Sequence, residues 1–132
     1  MEGPERTAED GQMKIISFAW TTEALLAGKK TVTRRDWNDK YAASFRNGDI
    51  VAAWDQNPRY GGKKIAEIKL TRDPYKQWLH EVTDEDEIKE GGLWGDRYKY
   101  MAAMGEDREM WVIEFKPVYY VITSNAKEGD LK

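Results

Sequence analysis

The sequence predicts an α+β domain, a small mixed β-barrel with short flanking helices. Three observations carry that expectation. Strand-like segments follow one another, separated by strong Gly, Pro and Asn-Asp turn signals. The helical segments between them are short and end at glycine. They are too few to cover both faces of a doubly wound parallel sheet. The 132 residues suit one domain, large enough to bury a core without disulfide or metal staples.

The elements are expected in the following order. Met13–Phe18 reads as a strand. Thr21 or Thr22 is placed to cap a helix over Ala24–Ala27, with Glu23 in its first turn and Gly28 ending it in the left-handed conformation. Lys30–Arg35 alternates Thr and Val and begins extended, whereas Asp36–Asn47 is polar and irregular. Asn47-Gly48-Asp49 is a turn leading into a strand over Ile50–Trp54. Asn57–Gly62 is a loop, Lys64–Leu70 a half-buried strand stopped by Pro74, and Tyr75–Leu79 a single helical turn. Thr83 or Asp84 caps a helix to about Lys89, closed by Gly91-Gly92. Leu93–Met104 reads as helix ended by Gly105. Arg108–Ile122 is β-rich, with Trp111, Ile113 and Phe115 on one face and Pro117 marking a bend or a sheet edge. Residues 1–12 read as a flexible leader, 13–122 as the domain and 123–132 as a flexible tail, because neither end has the apolar residues to offset the entropy of ordering.

Composition removes several function classes. No apolar run approaches the roughly 20 residues that span a bilayer, and the N-terminus has no apolar signal core, so a cytoplasmic protein with no membrane partner is expected. Cysteine is absent and His80 is the single histidine. A thiol nucleophile, a disulfide framework and a Cys-rich or two-His metal site are therefore excluded, and no cofactor is implied. The net charge is −3, against a general nucleic-acid coat. Charge is uneven, however. Lys29, Lys30, Arg34, Arg35, Lys40 and Arg46 fall in one stretch, and Glu81, Asp84, Glu85, Asp86, Glu87 and Glu90 in another. A local basic pocket in an acidic protein suits a small polar or anionic ligand better than a long polyanion.

Gly28-Lys29-Lys30-Thr31-Val32-Thr33-Arg34-Arg35 is the most informative segment. A strand and short helix precede it, Gly48-Asp49-Ile50-Val51 follows, an acidic helix ends in Glu90-Gly91, and a terminal strand reads Ile113-Glu114-Phe115. This ordered set, over residues 13–118, resembles the ASCH family, a branch of the PUA-like barrels. The resemblance implies a PUA-like fold and, through small bacterial members, a metal-independent amidohydrolase acting on N4-acylated cytidines. It carries the catalytic roles onto Lys30, Thr33 and Glu90, with Glu87 one helical turn away as the rival carboxylate. Residue chemistry reaches a compatible engine separately. With Cys absent and one His, a hydroxyl served by a Lys base remains, in the logic of Ser-Lys hydrolases. Such a Lys must lose its proton, which burial and neighbouring cations favour and a nearby Glu opposes.

Arg35 is the expected side-chain donor to an oxyanion, with a salt bridge to an acidic partner as its other reading. Phe18, Trp20 and Trp94 lie at element ends near these segments, where an aromatic face can stack a pyrimidine. The expected partner is therefore a modified nucleoside. RNA held by the basic stretch, as a non-catalytic binding module, is the second reading, and a metal-independent ribonuclease the third. One geometric condition attaches to the first: residues 30 and 33 of a straight strand diverge, so the chain must bend or Lys30 must precede the strand.

Overall fold

The computed structural model describes residues 13–120; the expected leader and tail, and the last two residues of the expected domain, lie outside them. Among the described residues six strands form one mixed sheet: β1 (Ile15–Ser17), β2 (Val32–Arg35), β3 (Ile50–Trp54), β4 (Lys64–Leu70), β5 (Tyr75–Trp78) and β6 (Glu109–Tyr120). The order is β1-β3-β4-β6-β2, with β5 also on β6; β1 and β3 run parallel and every other pair is antiparallel. Four helices connect them: α1 (Thr22–Leu26), α2 (Asp39–Ala43), α3 (Asp84–Lys89) and α4 (Arg97–Met104).

β6 organises the sheet because it is long enough to carry three partners. Its first half lies between β2 and β5, and its second half pairs with β4. Pro117 sits where the β4–β6 register shifts, a position that tolerates a missing N–H. The apolar face of β6 (Ile113, Phe115) packs with Ile16, Phe18, Leu25, Val51 and Ile68 in the main core. A smaller cluster of Leu79, Val82, Tyr100 and Met110 lies under α4.

Among the described residues no ladder joins β2 to β1, so the pairing draws an open six-stranded sheet rather than a hydrogen-bonded closed barrel. The two edges are bridged instead by a side chain, the Arg35 Nη2 donating to the Ser17 carbonyl at 2.7 Å.

Other expectations change in detail. Tyr75–Trp78 is a strand, not a helical turn, and a 3₁₀ turn follows at Leu79–Glu81. Pairing with β6 overrides the local preference, half-burying Tyr75 and Gln77 and leaving Lys76 and Trp78 outside. The segment expected to be irregular contains α2, capped by Asn38, whose side chain accepts from the Tyr41 N–H. Thr21 and Thr22 do not cap α1 with their side chains. Both hydroxyls donate back, to Phe18 and Ala19 carbonyls, across a 3₁₀ turn at Ala19–Thr21. α4 starts at Arg97 rather than at Leu93, because Asp96 caps it by accepting from the Lys99 N–H. Thr83 caps α3 in a reciprocal box with Asp86.

Candidate functional site

Two short helices end in the same way, and their ends meet. After α1, Gly28 takes φ 77°, its N–H bonds to Leu25 and the Lys29 N–H to Ala24. This paired Schellman arrangement is one that glycine enters without a Cβ penalty. Lys30 emerges one residue later, and β2 begins only at Val32. Lys30 thus precedes the strand, which removes the expected divergence from Thr33. After α3, Gly91 bonds to Ile88 and Gly92 to Glu87, leaving Glu90 as the last residue inside the cap. The Thr31 N–H donates to the Lys89 carbonyl at 2.8 Å and draws the two ends together.

Gly91 also permits close approach. It has φ 128°, and a Cβ there would stand 3.0 Å from the Ala24 Cβ. Gly91→Ala is expected to destabilise the fold by about 1–3 kcal/mol through overpacking and backbone strain. Urea unfolding measures it; an unchanged midpoint would contradict the close packing of α1 on α3.

Glu90 is buried, and both its oxygens accept. Lys30 Nζ donates to Oε1 at 2.9 Å and, also at 2.9 Å, to the Glu90 backbone carbonyl. Arg34 Nη1 donates to Oε2 at 2.7 Å and the Tyr100 hydroxyl to the same oxygen at 3.2 Å. Arg34 is fixed from its other side by Gln77, whose Oε1 takes Nη2 at 2.7 Å and Nε at 3.2 Å. Glu87 does something else. Its Oε2 accepts from the Trp94 and Gly95 N–H groups, holding the turn between α3 and α4. Between the two carboxylates that sequence left open, Glu90 meets Lys30.

Burial pushes the Lys30 ammonium below its ordinary 10.5; Glu90 opposes that fall and the Arg35 and Arg34 charges add to it. Burial raises the Tyr100 hydroxyl well above its ordinary range, Glu90 adding to the rise, so Tyr100 remains a donor. The Lys30 shift has a sign in stability. The unfolded chain holds this proton up to about its ordinary 10.5 while the folded chain releases it earlier. Across that window the unfolded state binds more protons, so stability rises with pH. Comparing urea midpoints of wild type and Lys30→Met across neutral to alkaline pH is expected to show a positive component of slope that the substitution removes. Identical slopes would contradict the shift.

Thr33 and Arg35 face the cavity from β2. Thr33 is buried, and its Oγ1 accepts from Arg35 Nε at 3.2 Å. With Lys30, Arg34, Glu90, Ser17, Phe18, Ala19, Trp20, Thr21, Trp94, Tyr100 and Met104 they line a cavity of about 270 Å³, opening where the two unpaired sheet edges approach. Among the described residues no hydrogen bond joins Lys30 to Thr33, and Lys30 Nζ bonds only to Glu90.

The three expected aromatic residues all line this space but differ in character. Phe18 is core, edge-on to Phe115, with the Arg35 guanidinium 5.3 Å from its ring centroid. Trp94 is half-buried against Tyr100, centroids 4.8 Å apart. Trp20 is 71% exposed at the mouth, edge-to-face with Trp94 at 6.2 Å. It follows Ala19, whose φ of 37° lies in the left-handed region that an alanine rarely adopts.

Sequence reading gave Arg34 no role beyond a cation near Lys30, and missed Tyr100 and Gln77. Arg34 looked like one more cation in a basic run. A charged residue in a short strand, directly after Val32 and Thr33, was the available signal of a buried partner. Within the basic stretch Lys30 and Arg34 are buried and Arg35 half-buried, while Lys29, Lys40 and Arg46 are exposed.

The fold and site define a mixed α+β domain with an ionic cavity at an open sheet edge. The chain is similar in structure to protein EF3133 from Enterococcus faecalis V583, described as a DUF984 protein. The TM-score is 0.57 at 13% identity, covering 97% of this chain and 91% of that one. This likeness shows a shared fold. No family model matches the sequence, and none of the curated proteins matches it. Among the described residues no helix is long and apolar enough to cross a membrane.

Proposed function

We propose that this protein is an ASCH-type amidohydrolase that cleaves the N4-acyl amide of acylated cytosine nucleosides, giving the free amine and a carboxylic acid without a metal. The observation that carries the reading is the setting of Lys30. A neutral amine has two N–H groups and one lone pair. Two acceptors, both from Glu90 and both at 2.9 Å, take the two hydrogens. The lone pair is then the remaining direction, in a residue that lines the cavity beside Thr33. Burial favours that neutral state.

In this mechanism Thr33 Oγ1 attacks the acyl carbon and Lys30 takes its proton. The carbonyl oxygen becomes an oxyanion held by Arg35. Collapse breaks the bond between the acyl carbon and N4, and Lys30 returns the proton to N4 as the cytosine leaves. Water, deprotonated by Lys30, then attacks the Thr33 ester; the bond between the acyl carbon and Oγ1 breaks, Lys30 returns the proton to Oγ1, and the acid is released. Glu90 positions Lys30 and does not itself carry the proton, because Oε1 already accepts from the Lys30 amine and Oε2 from the Arg34 guanidinium. Trp20 and Trp94 offer aromatic surface to the pyrimidine at the mouth.

A second reading has a specific observation in its favour. Lys30 and Thr33 share the cavity without a direct hydrogen bond, so Lys30 can deprotonate a water that attacks the carbonyl while Thr33 orients it. Hydrogen bonds of free enzymes often tighten only with substrate bound. Acid quench of a single turnover of N4-acetylcytidine, followed by peptide mass analysis, separates the two. An acyl adduct on Thr33, absent in Thr33→Val, is expected. Full turnover by Thr33→Val would exclude the nucleophile role. The inward-facing cations and the small cavity favour a nucleoside over an RNA strand, whose binding would need exposed phosphate contacts.

A further inference from the structure

Arg35 and Arg34 are neighbours in sequence with opposite electrostatic situations. Arg34 meets Glu90 at 2.7 Å and Asp86 at 3.7 Å. Arg35 forms no ion pair among the described residues. Its two hydrogen bonds go to neutral acceptors, the Thr33 hydroxyl and the Ser17 carbonyl. It is nevertheless half-buried, over the Phe18 ring, and lines the cavity. A guanidinium has five N–H donors, and two are in use here. The Glu90 carboxylate acts on Arg35 only at a distance; a cation partly withdrawn from water without a contacting counter-charge is costly, and an anion that reaches it is bound strongly.

We propose that the cavity is a binding site for small amphiphilic monocarboxylates, with the carboxylate on Arg35 and the alkyl or aryl tail against Met104 and Trp94. The head group follows from the planar donor fork, held in place by Ser17 and Thr33, which matches a carboxylate. The tail follows from the rest of the lining, where Phe18, Trp94 and Met104 present apolar surface. A bulky divalent phosphate has the same attraction to Arg35 but nothing to set against that apolar wall.

The acid released from an N4-acyl amide belongs to this class. On the hydrolytic reading above, the product is therefore a competitive inhibitor, and the acyl groups accepted are those whose acids bind. The binding itself does not depend on that reading.

The test is NMR titration of the ¹⁵N-labelled protein, following the Arg35 Nε–H resonance, at constant ionic strength. The probes are sodium butyrate, its neutral isostere butyramide, and inorganic phosphate. Butyrate is expected to shift the resonance saturably, with butyramide and phosphate weaker by about tenfold or more. Arg35→Gln is expected to weaken butyrate binding by a similar factor, read on the Trp94 indole N–H. Arg35→Lys, which keeps the charge without the fork, is expected to fall between. Absence of a butyrate shift, equal binding of butyramide, or tighter binding of phosphate would each overturn the proposal, as would undiminished binding by folded Arg35→Gln. Butyrate binding without any turnover of N4-acylcytidines leaves this site standing and removes the hydrolytic reading. Turnover without butyrate binding does the reverse.

Discussion

Lys30→Arg is expected to abolish turnover while leaving the fold nearly intact. The substitution keeps an N–H donor where Glu90 accepts one, so the buried carboxylate retains a partner. What it removes is the capacity to accept a proton, since a guanidinium stays charged at any working pH. Loss of a general base costs about 10²–10⁴-fold in rate, and kcat with N4-acetylcytidine is expected to fall by that much with KM little changed. Lys30→Met should lose activity equally and also lose stability, because Glu90 Oε1 is left with no side-chain donor. The contrast between the two variants separates chemistry from folding. Near wild-type kcat in Lys30→Arg would show that the amine is not the base.

Glu90→Gln is expected to be the most destabilising isosteric change in the chain. Both carboxylate oxygens accept from cations, Lys30 on Oε1 and Arg34 on Oε2, and all three side chains are almost wholly buried. A Gln must turn its NH₂ toward one of these donors, leaves Lys30 without its carboxylate and leaves Arg34 with only the Asp86 contact at 3.7 Å. Removing one member of such a buried set costs about 3–5 kcal/mol, measurable as a fall in the urea midpoint. The same variant reports on mechanism. Glu90 raises the Lys30 pKa, so its loss lets that pKa fall further. If Glu90 only positions Lys30, the remaining activity persists and its rise with pH moves to lower pH. Complete loss at every pH, in folded protein, would instead make Glu90 the proton carrier.

Most of the fold was legible where a residue type forces a local geometry. Gly28 and Gly91 marked two helix ends, and Thr83 marked a helix start, each through backbone hydrogen bonding that depends on few neighbours. Tyr75–Trp78 was not legible, because its strand state comes from pairing with β6, more than thirty residues later. The open edge between β1 and β2 was likewise hidden, since a side chain, Arg35, bridges it where a ladder was expected. At the site, Lys30 and Glu90 are sixty residues apart and were linked by family resemblance, not by spacing. The pairing of Arg34 with Glu90 was not legible, because a cation that completes a buried carboxylate looks, in sequence, like any surface cation.

The account depends most on a single chemical claim, that this cavity opens an N4-acyl amide using its own side chains. The direct measurement is release of cytidine from N4-acetylcytidine and from a bulkier N4-acyl analogue, followed by absorbance with EDTA present. Sustained turnover by the wild-type protein, lost in Lys30→Arg, is the result the account predicts. Well-folded protein that leaves every N4-acylcytidine intact would contradict it.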